Sequence, residues 1–150
     1  MLLLDQAGHA LSTELTAGLA GLGITPRAHC VLAHALAGDL TQTDLAERCG
    51  LDKTTMVVTM DELERAGLAE RTPSTTDRRV RLISVTAAGK RKLAQANTIV
   101  QRIYADVLAV LPATERQAFV AGLSRLVGGR LATPVHCERP VRRRRSPQLV

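Results

Sequence analysis

Apolar residues recur at helical spacing in the first part of the chain and predict two helices. The first helix runs from residue 4 to about residue 22. Thr25 followed by Pro26 is typical of an N-cap with proline at the first helical position, so a second helix runs to about Ala37. The apolar stripe of the first helix consists of Leu4, Leu11, Leu15, Leu19 and Leu22.

Two short helices follow, separated by three residues that are typical of a tight turn. A third helix begins at Thr41, with Asp44 three residues later as in a capping box. Asp52 caps a fourth helix, which ends near Ala66 and is followed by a glycine. Two helices of this size on either side of residues 50–52 predict a helix-turn-helix.

Beyond the fourth helix the apolar period changes from 3.6 to 2, which predicts strands. Residues 68–71 and 80–85 alternate in this way, and the polar loop 72–79 between them contains proline, serine and aspartate. A hairpin directly after a helix-turn-helix is a wing.

A long helix from Thr86 to about Leu111 and a last helix over roughly 113–128 complete the pattern. Apolar residues of the long helix alternate steps of three and four, which is typical of helices packed on helices. They are Leu93, Ala96, Val100, Ile103, Val107 and Val110. The apolar residues of the last helix are Phe119, Val120, Leu123, Leu126 and Val127.

The predicted fold is mainly α: a winged helix-turn-helix with a two-stranded wing and N- and C-terminal dimerisation helices. Residues 1–132 form one domain, in which residues 25–86 are the winged helix-turn-helix lobe. Helices 4–22 and 87–128 form the dimer, because the long seam exceeds what the last helix alone covers. Residues 133–150, rich in proline and arginine, are expected to be a flexible tail.

The composition of the chain excludes some classes of function and favours others. The chain has 150 residues, 45% hydrophobic and 23% charged, as in a folded domain. One Tyr and one Phe are too few for modules that stack single-stranded bases on aromatic rings. The formal net charge is +6, and residues 65–92 hold eight basic against two acidic residues. This concentration indicates a surface that binds a polyanion.

Nothing in the sequence predicts export or a membrane span. No apolar run approaches 18 residues, and the start lacks the basic region of a signal peptide. The three cysteines form neither a CxxC motif nor a disulfide framework, which fits a reducing cytosol. We therefore expect a cytoplasmic protein.

The fourth helix has the pattern of a recognition helix. Met56, Met60 and Leu63 form its buried stripe, so the opposite face is free to enter a major groove. The alternative is a surface helix with two stray exposed valines. The candidate DNA contacts in its N-terminal half are Lys53, Thr54, Thr55, Val57 and Val58, to which we add Gln42 at the start of the third helix.

The wing concentrates Arg78, Arg79 and Arg81 around Asp77. Narrow minor grooves attract arginine, and Asp77 is expected to orient a guanidinium. The alternative is a solvated hairpin tip. For the basic residues 90–92 and for the arginines at 139 and 142–145, DNA contact and simple solvation both remain open.

Several stretches within residues 41–89 resemble one family. Leu45-Ala46-Glu47, Leu63-Glu64-x-x-Gly67-Leu68, Asp77-Arg78-Arg79 and Val85-Thr86-x-x-Gly89 are similar to the multiple-antibiotic-resistance regulator (MarR) family. The resemblance implies a triangular winged-helix homodimer with a small-molecule cleft between its dimer part and each DNA-binding lobe. It further implies that the fourth helix reads the major groove and that Arg79, braced by Asp77, enters the minor groove. Val58 departs from the family, which commonly has a polar or basic residue there.

The expected function is therefore that of a bacterial transcription regulator, a homodimeric repressor that binds a palindromic operator in double-stranded DNA and is released by a small molecule. Two alternatives remain: a winged-helix protein-interaction module, and a thiol- or metal-sensing regulator of the same fold. The candidate dimerisation residues are Leu4, Leu11, Leu15, Leu93, Val100, Ile103, Val107, Phe119 and Leu123.

No catalytic, cofactor or metal site is predicted. No set of nucleophile, base and oxyanion donors is visible, so we expect no enzyme. Cys30 and His34 share a helix face, but no second ligand pair stands at zinc-binding spacing, so we expect them to be buried without a metal. A redox role for Cys30 or Cys49 would require an accessible thiol of low pKa, which the sequence alone leaves open.

Overall fold

A computed structural model describes residues 2–133 and 135. This part of the chain contains six helices and one two-stranded antiparallel sheet, which confirms the predicted fold class. The elements are α1 (Leu2–Ala20), α2 (Pro26–Ala35), α3 (Gln42–Arg48), α4 (Lys53–Arg65), β1 (Ala69–Pro73), β2 (Arg81–Val85), α5 (Ala87–Leu108) and α6 (Ala113–Gly128). Each lies close to its predicted bounds. The predicted tail falls, apart from residues 133 and 135, outside the described residues.

Side-chain caps fix the starts of the helices in the middle of the chain. The Thr25 hydroxyl accepts a hydrogen bond from the Ala28 amide at the start of α2. At α3 the predicted capping box is present, because Thr41 Oγ1 accepts from the Asp44 amide and Asp44 Oδ2 accepts from the Thr41 amide. Each cap satisfies amides that the first helical turn leaves unpaired, so these boundaries are set locally.

The core lies where α2, α3 and α4 meet the sheet and α5. Its members are fully or nearly fully buried aliphatic side chains and two methionines, which come from every one of these elements. The largest of them are Leu19, Val31, Leu32, Leu45, Met56, Met60 and Ile83. This core fixes the orientation of α4 and of the hairpin on one scaffold.

The hairpin is joined to the helix-turn-helix by a third extended segment. β1 and β2 pair in antiparallel register from Ala69 opposite Val85 to Pro73 opposite Arg81. On its other edge β2 makes a bridge between Leu82 and Thr41, and the Ile83 amide donates to the Leu40 carbonyl at 2.9 Å. The base of the wing is therefore held by the loop that leads into α3.

The junction between the wing and α5 is a close backbone contact. Thr86 Oγ1 donates to the Gly67 carbonyl at 2.7 Å and accepts from the Gly89 amide at 3.0 Å. This hydroxyl caps α5 and ties its first turn to the end of α4. A Cβ at position 89 would lie 2.0 Å from the Leu68 carbonyl oxygen, so only glycine fits. The Thr86-x-x-Gly89 pattern thus has a structural cause.

Gly89→Ala is expected to destabilise the protein by about 1–3 kcal/mol, towards the upper end because the obstacle is backbone, which cannot change rotamer. Urea unfolding measures the decrease in the free energy of unfolding. The matched control is Gly8→Ala on α1, where an added Cβ meets nothing within 4 Å and helix propensity favours alanine. Equal unfolding midpoints for the two variants would contradict the close contact.

The predicted seam of α5 divides into two parts. Leu93 and Val100 are 3% and 8% exposed and pack in the core of their own protomer. This corrects their assignment to the dimer surface, because a buried side chain has no area left for a partner. Further along, Ile103 lies against α1, where a Cβ on Gly18 would come within 2.7 Å of its Cδ1. Val107 is 40% exposed.

The described residues form two compact units, one ending at Val107 and one beginning at Leu108. The second unit contains α6, none of whose residues is buried. Its apolar side chains are Phe119, Val120, Leu123, Leu126 and Val127, with exposures between 39% and 57%. In the first unit, Leu4 is exposed, whereas Leu11 and Leu15 are half-buried.

Candidate nucleic-acid interface

α4 packs through the stripe that the sequence predicts. Met56, Met60 and Leu63 are at most 2% exposed. Thr59, whose burial was not predicted, joins them at 2%, and its hydroxyl donates to the Thr55 carbonyl at 2.8 Å. That bond satisfies a polar group inside the core, so a threonine can stand beside the apolar residues of the buried face.

The opposite face of α4 is open to solvent in its first turns. Lys53 and Thr54 are exposed, and Val57 and Val58 are 37% and 51% exposed. Two exposed valines in the first two turns place methyl groups next to a cation and a hydroxyl. Such a set can contact a phosphate, a base edge and a thymine methyl at once.

Thr55 takes part in the N-terminal cap of α4, which limits the hydrogen bonds that it can offer to DNA. Its hydroxyl donates to Asp52 Oδ2 at 2.6 Å and its amide donates to Asp52 Oδ1 at 2.9 Å, so it completes the cap of α4. These hydrogen bonds hold the pKa of the Asp52 carboxyl below its usual 3.8. Thr55 therefore offers an outside partner only acceptor lone pairs, whereas the exposed Thr54 hydroxyl can donate as well.

Arg71, which the sequence pattern did not single out, ties the wing to both helices of the helix-turn-helix. Its guanidinium pairs with Asp61 at 2.9 Å and with Glu64. It also donates to Gln42 Oε1 from Nε at 3.2 Å and from a terminal nitrogen at 3.1 Å. The network neutralises two acids of α4, the helix that carries the candidate contacts. The sequence contained one indication of this network, because Arg71 follows shortly after a helix that is rich in acidic residues.

The network also defines the role of Gln42. Its side-chain oxygen accepts two hydrogen bonds from Arg71. Gln42 is half-buried at the first position of α3. As a DNA contact it can only donate through its amide nitrogen, because both lone pairs of its acceptor are occupied.

The wing tip is a hydrogen-bonded turn. Ser74 is 9% exposed, and its hydroxyl contacts the Thr76 hydroxyl at 2.9 Å and accepts from the Thr76 amide at 3.2 Å. Asp77 Oδ1 accepts from the backbone amide of Arg79 at 2.9 Å. The prediction that Asp77 orients a guanidinium is therefore corrected. The carboxylate shapes the backbone on which the arginine stands, because an Asp side chain readily bonds an amide two residues on.

Three arginines belong to this turn and to the strand that follows it. Arg78, Arg79 and Arg81 are exposed, and within residues 2–133 and 135 none of them forms an ion pair with a carboxylate. Their positive charge is thus available to an outside anion. Lys53 adds a fourth exposed cation at the start of α4.

The three basic residues 90–92 near the start of α5 have different surroundings. The Lys92 ammonium donates to the Leu22 carbonyl at 3.0 Å, so it ties α5 to the turn that follows α1. Lys90 and Arg91 are exposed. The arginines at 139 and 142–145 lie outside the described residues.

None of the helices in the described part of the chain has the length and hydropathy of a membrane span.

The sequence and the fold of this chain are both similar to those of known transcriptional regulators. Residues 22–80 match the family model described as MarR family. CouR from Rhodococcus jostii RHA1, solved with p-coumaroyl-CoA, is 28% identical over 91% of this chain and 93% of its own, with a TM-score of 0.75. CouR was also solved on a 23-mer DNA duplex, and that structure gives a TM-score of 0.74 over 83% of this chain and 89% of its own.

A second relative comes from another genus. Rv2887 of Mycobacterium tuberculosis, described as a MarR family protein in complex with salicylic acid, is 29% identical. The match covers 83% of this chain and 93% of that one, with a TM-score of 0.71. The family model covers the helix-turn-helix and the first half of the hairpin, and the structural matches extend the likeness to the surrounding helices. The chain is thus similar to MarR-family transcriptional regulators, in sequence over residues 22–80 and in structure over most of its length.

Proposed function

We propose that the protein is a homodimeric repressor that binds a palindromic operator in double-stranded DNA and responds to a small molecule. The observation that carries this proposal is the open face of α4 together with three arginines that no carboxylate of the described residues neutralises. The DNA-bound structure of CouR supports it. The chain's role is regulatory rather than catalytic, and its place is the bacterial cytoplasm, where an operator is found.

Each contact surface has a distinct task in this proposal. A major groove about 12 Å wide admits one α-helix, and α4 enters it with its N-terminal half. There Lys53 binds phosphate, Thr54 reads a base edge, and Val57 and Val58 pack on thymine methyl groups. Arg79 enters the adjacent minor groove from the wing, while Arg78 and Arg81 bind the backbone.

The dimer is supported by apolar surface that the described part of the single chain leaves uncovered. Leu2, Leu3 and Leu4 on α1 are 55–78% exposed, and Phe119 and Leu123 on α6 are 48% and 39% exposed. Most helical stability in proteins comes from packing of an apolar face, and α6 has no buried residue, so we expect a partner to cover its apolar face. A two-fold dimer then presents two α4 helices to half-sites roughly 34–36 Å apart.

A small effector would act on that spacing. CouR was solved with p-coumaroyl-CoA and Rv2887 with salicylic acid, both of which contain an aromatic ring and acidic groups. We propose an effector of this class, an aromatic acid or its thioester. A molecule that binds the dimer better when its α4 helices are wrongly spaced shifts the population away from DNA.

Selection of bound sequences from random duplexes tests the proposed function. We expect an inverted repeat with half-sites about one helical turn apart. We also expect the selected duplex to be bound ~1000-fold more tightly than a scrambled one at the same salt concentration. Recovery of no common sequence, with equal affinity for both duplexes, would favour the protein-interaction module instead.

Val58→Ala is expected to relax selectivity at one thymine of each half-site by about 1 kcal/mol and to leave stability almost unchanged. The effect is small because one methyl contact lies at the low end of base discrimination, and the side chain is half exposed in the free protein. Binding to the selected operator and to its single-base variants measures it. Ala121→Gly on α6 is a control that should leave selectivity unaltered.

Replacing that thymine by uracil removes only the methyl group and tests the contact from the other side. Uracil should weaken binding of the unmodified protein as much as Val58→Ala does and should add little to the variant. Additive effects would mean that Val58 does not touch that methyl.

A further inference from the structure

Two cysteines and one histidine that stand apart in the sequence meet in the helix-turn-helix lobe. Cys30 and His34 lie four residues apart on one face of α2, and Cys49 is the C-cap residue of α3. The two sulfur atoms and an imidazole nitrogen all lie within 4.8 Å of one another. All three residues are half-buried, so the cluster is shielded but reachable from solvent.

The sequence predicts no metal here because only one ligand pair is visible along the chain. The packing of α3 on α2 supplies the missing thiol, since it brings Cys49 to the face that carries Cys30 and His34. The neighbouring His29 does not compete for this place, because its Nε2 is hydrogen bonded to Asn97 Oδ1 on α5 at 2.7 Å.

The donor set selects the kind of metal. Two thiols and an imidazole are soft and borderline ligands, which favour Zn²⁺ over Mg²⁺ or Ca²⁺. Tetrahedral zinc with bonds of about 2.3 Å to sulfur separates two sulfur atoms by roughly 3.8 Å. Atoms already within 4.8 Å of one another reach that geometry by small side-chain rotations.

The two sulfur atoms lie within 4.8 Å of each other, close to the separation of roughly 3.8 Å that two thiolates adopt when they share one zinc ion. His34 adds a third ligand to the two thiols.

We propose that Cys30, His34 and Cys49 bind one Zn²⁺ per chain, with a fourth position left for water. The metal would join the C-terminal end of α3 to α2. Cys49 is followed by Gly50, in the left-handed conformation at φ 62°, and then by the Asp52 cap of α4. The metal therefore holds the turn that orients α4. The metal would stabilise the fold of the lobe whether or not the protein binds DNA.

The first experiment uses the full chain, reduced and freed of metal with a chelator. Competition with a chromophoric zinc indicator should give about one Zn²⁺ per chain, and Zn²⁺ should raise the Tm by several degrees, because it binds only the folded state tightly. Co²⁺ in place of Zn²⁺ should give thiolate-to-cobalt charge transfer and the visible bands of a tetrahedral site. Absence of both zinc binding and these bands overturns the proposal.

Thiol protection locates the site without any substitution. Zn²⁺ should slow alkylation of Cys30 and Cys49 but leave Cys137 as reactive as before, as mass spectrometry of the labelled peptides would show. Protection of Cys137 with Cys30 and Cys49 still reactive would place the metal elsewhere and overturn the proposal. Because this measurement uses the unmodified chain, misfolding of a variant cannot obscure it.

Single substitutions then test each ligand. Cys30→Ser, Cys49→Ser and His34→Ala should each weaken Zn²⁺ binding at least ~10-fold, since even groups that only support a ligand change metal affinity by ~10–100-fold. The matched controls are Cys137→Ser and His9→Ala, the latter an exposed histidine on α1. Zinc affinity that is unchanged by all three ligand substitutions contradicts the site.

Discussion

Phe119→Glu is expected to convert the protein to a monomer and to weaken operator binding by ~100-fold or more. Phe119 is 48% exposed on α6, among other apolar side chains that are 39–57% exposed. A glutamate in the middle of that surface would have to lose its hydration in the dimer without gaining a partner. Dissociation is the less costly outcome.

The large effect on DNA follows because the two lobes are no longer linked. Two half-sites bound by one dimer give an affinity ~10²–10⁴-fold above that of a single lobe, because the second contact is intramolecular. A monomer lacks this gain even if each lobe is intact. Sedimentation velocity and operator binding on the same samples measure both consequences.

Ala121→Glu is the matched control for this substitution. It adds the same charge to the same helix, but two residues further on and so on the opposite face. We expect it to remain dimeric and to bind the operator normally. A Phe119→Glu variant that still sediments as a dimer, or unmodified protein that sediments as a folded monomer at micromolar concentration, would show that α6 is not in the interface.

The helix-turn-helix was predictable because its signals are local. Thr41 with Asp44, and Asp52 before α4, are capping contacts between residues three apart, and the structure contains both. The buried face of α4 follows from the period of its apolar residues, which any helix must obey. Contacts of this kind need no knowledge of the rest of the chain.

Contacts between segments that are distant in the sequence could not be predicted from capping residues and apolar spacing. Apolar spacing identified the packed face of α5, but it could not tell that Leu93 and Val100 pack in their own protomer rather than on a partner. Arg71 was missed because its partners come from α3 and α4, which only the tertiary fold brings to β1. Cys49 reaches Cys30 for the same reason.

At Asp77 the sequence indicated a charged group with a partner nearby but did not identify the partner. Charge alone suggested a carboxylate paired with a guanidinium, whereas the carboxylate accepts from the Arg79 amide. An exposed ion pair contributes little, while a turn of this kind offers an amide in fixed geometry two residues away. The Arg79 guanidinium is therefore not tied to Asp77, and its contribution to DNA binding should be larger than in the paired arrangement.

Arg79→Ala is accordingly expected to weaken binding to an operator with A/T-rich flanks by ~30-fold or more. A base-reading arginine contributes about 1–3 kcal/mol, and a dimer has two wings. The effect should be smaller on G/C-rich flanks, because A-tracts have the narrow minor groove whose negative potential attracts a guanidinium. Titrations of both duplexes at one salt concentration measure the difference.

Arg78→Ala separates this role from simple charge. Arg78 is the neighbouring exposed arginine of the same turn, so its removal should weaken binding to both duplexes equally and lower the salt slope by about 1 for each phosphate that is no longer neutralised. Arg79→Lys keeps the charge but removes the planar guanidinium, so it should behave like Arg79→Ala on A/T-rich flanks if shape is read. Equal effects on both flanks for Arg79→Ala, restored by lysine, would instead make Arg79 a phosphate contact, because a phosphate requires only the charge.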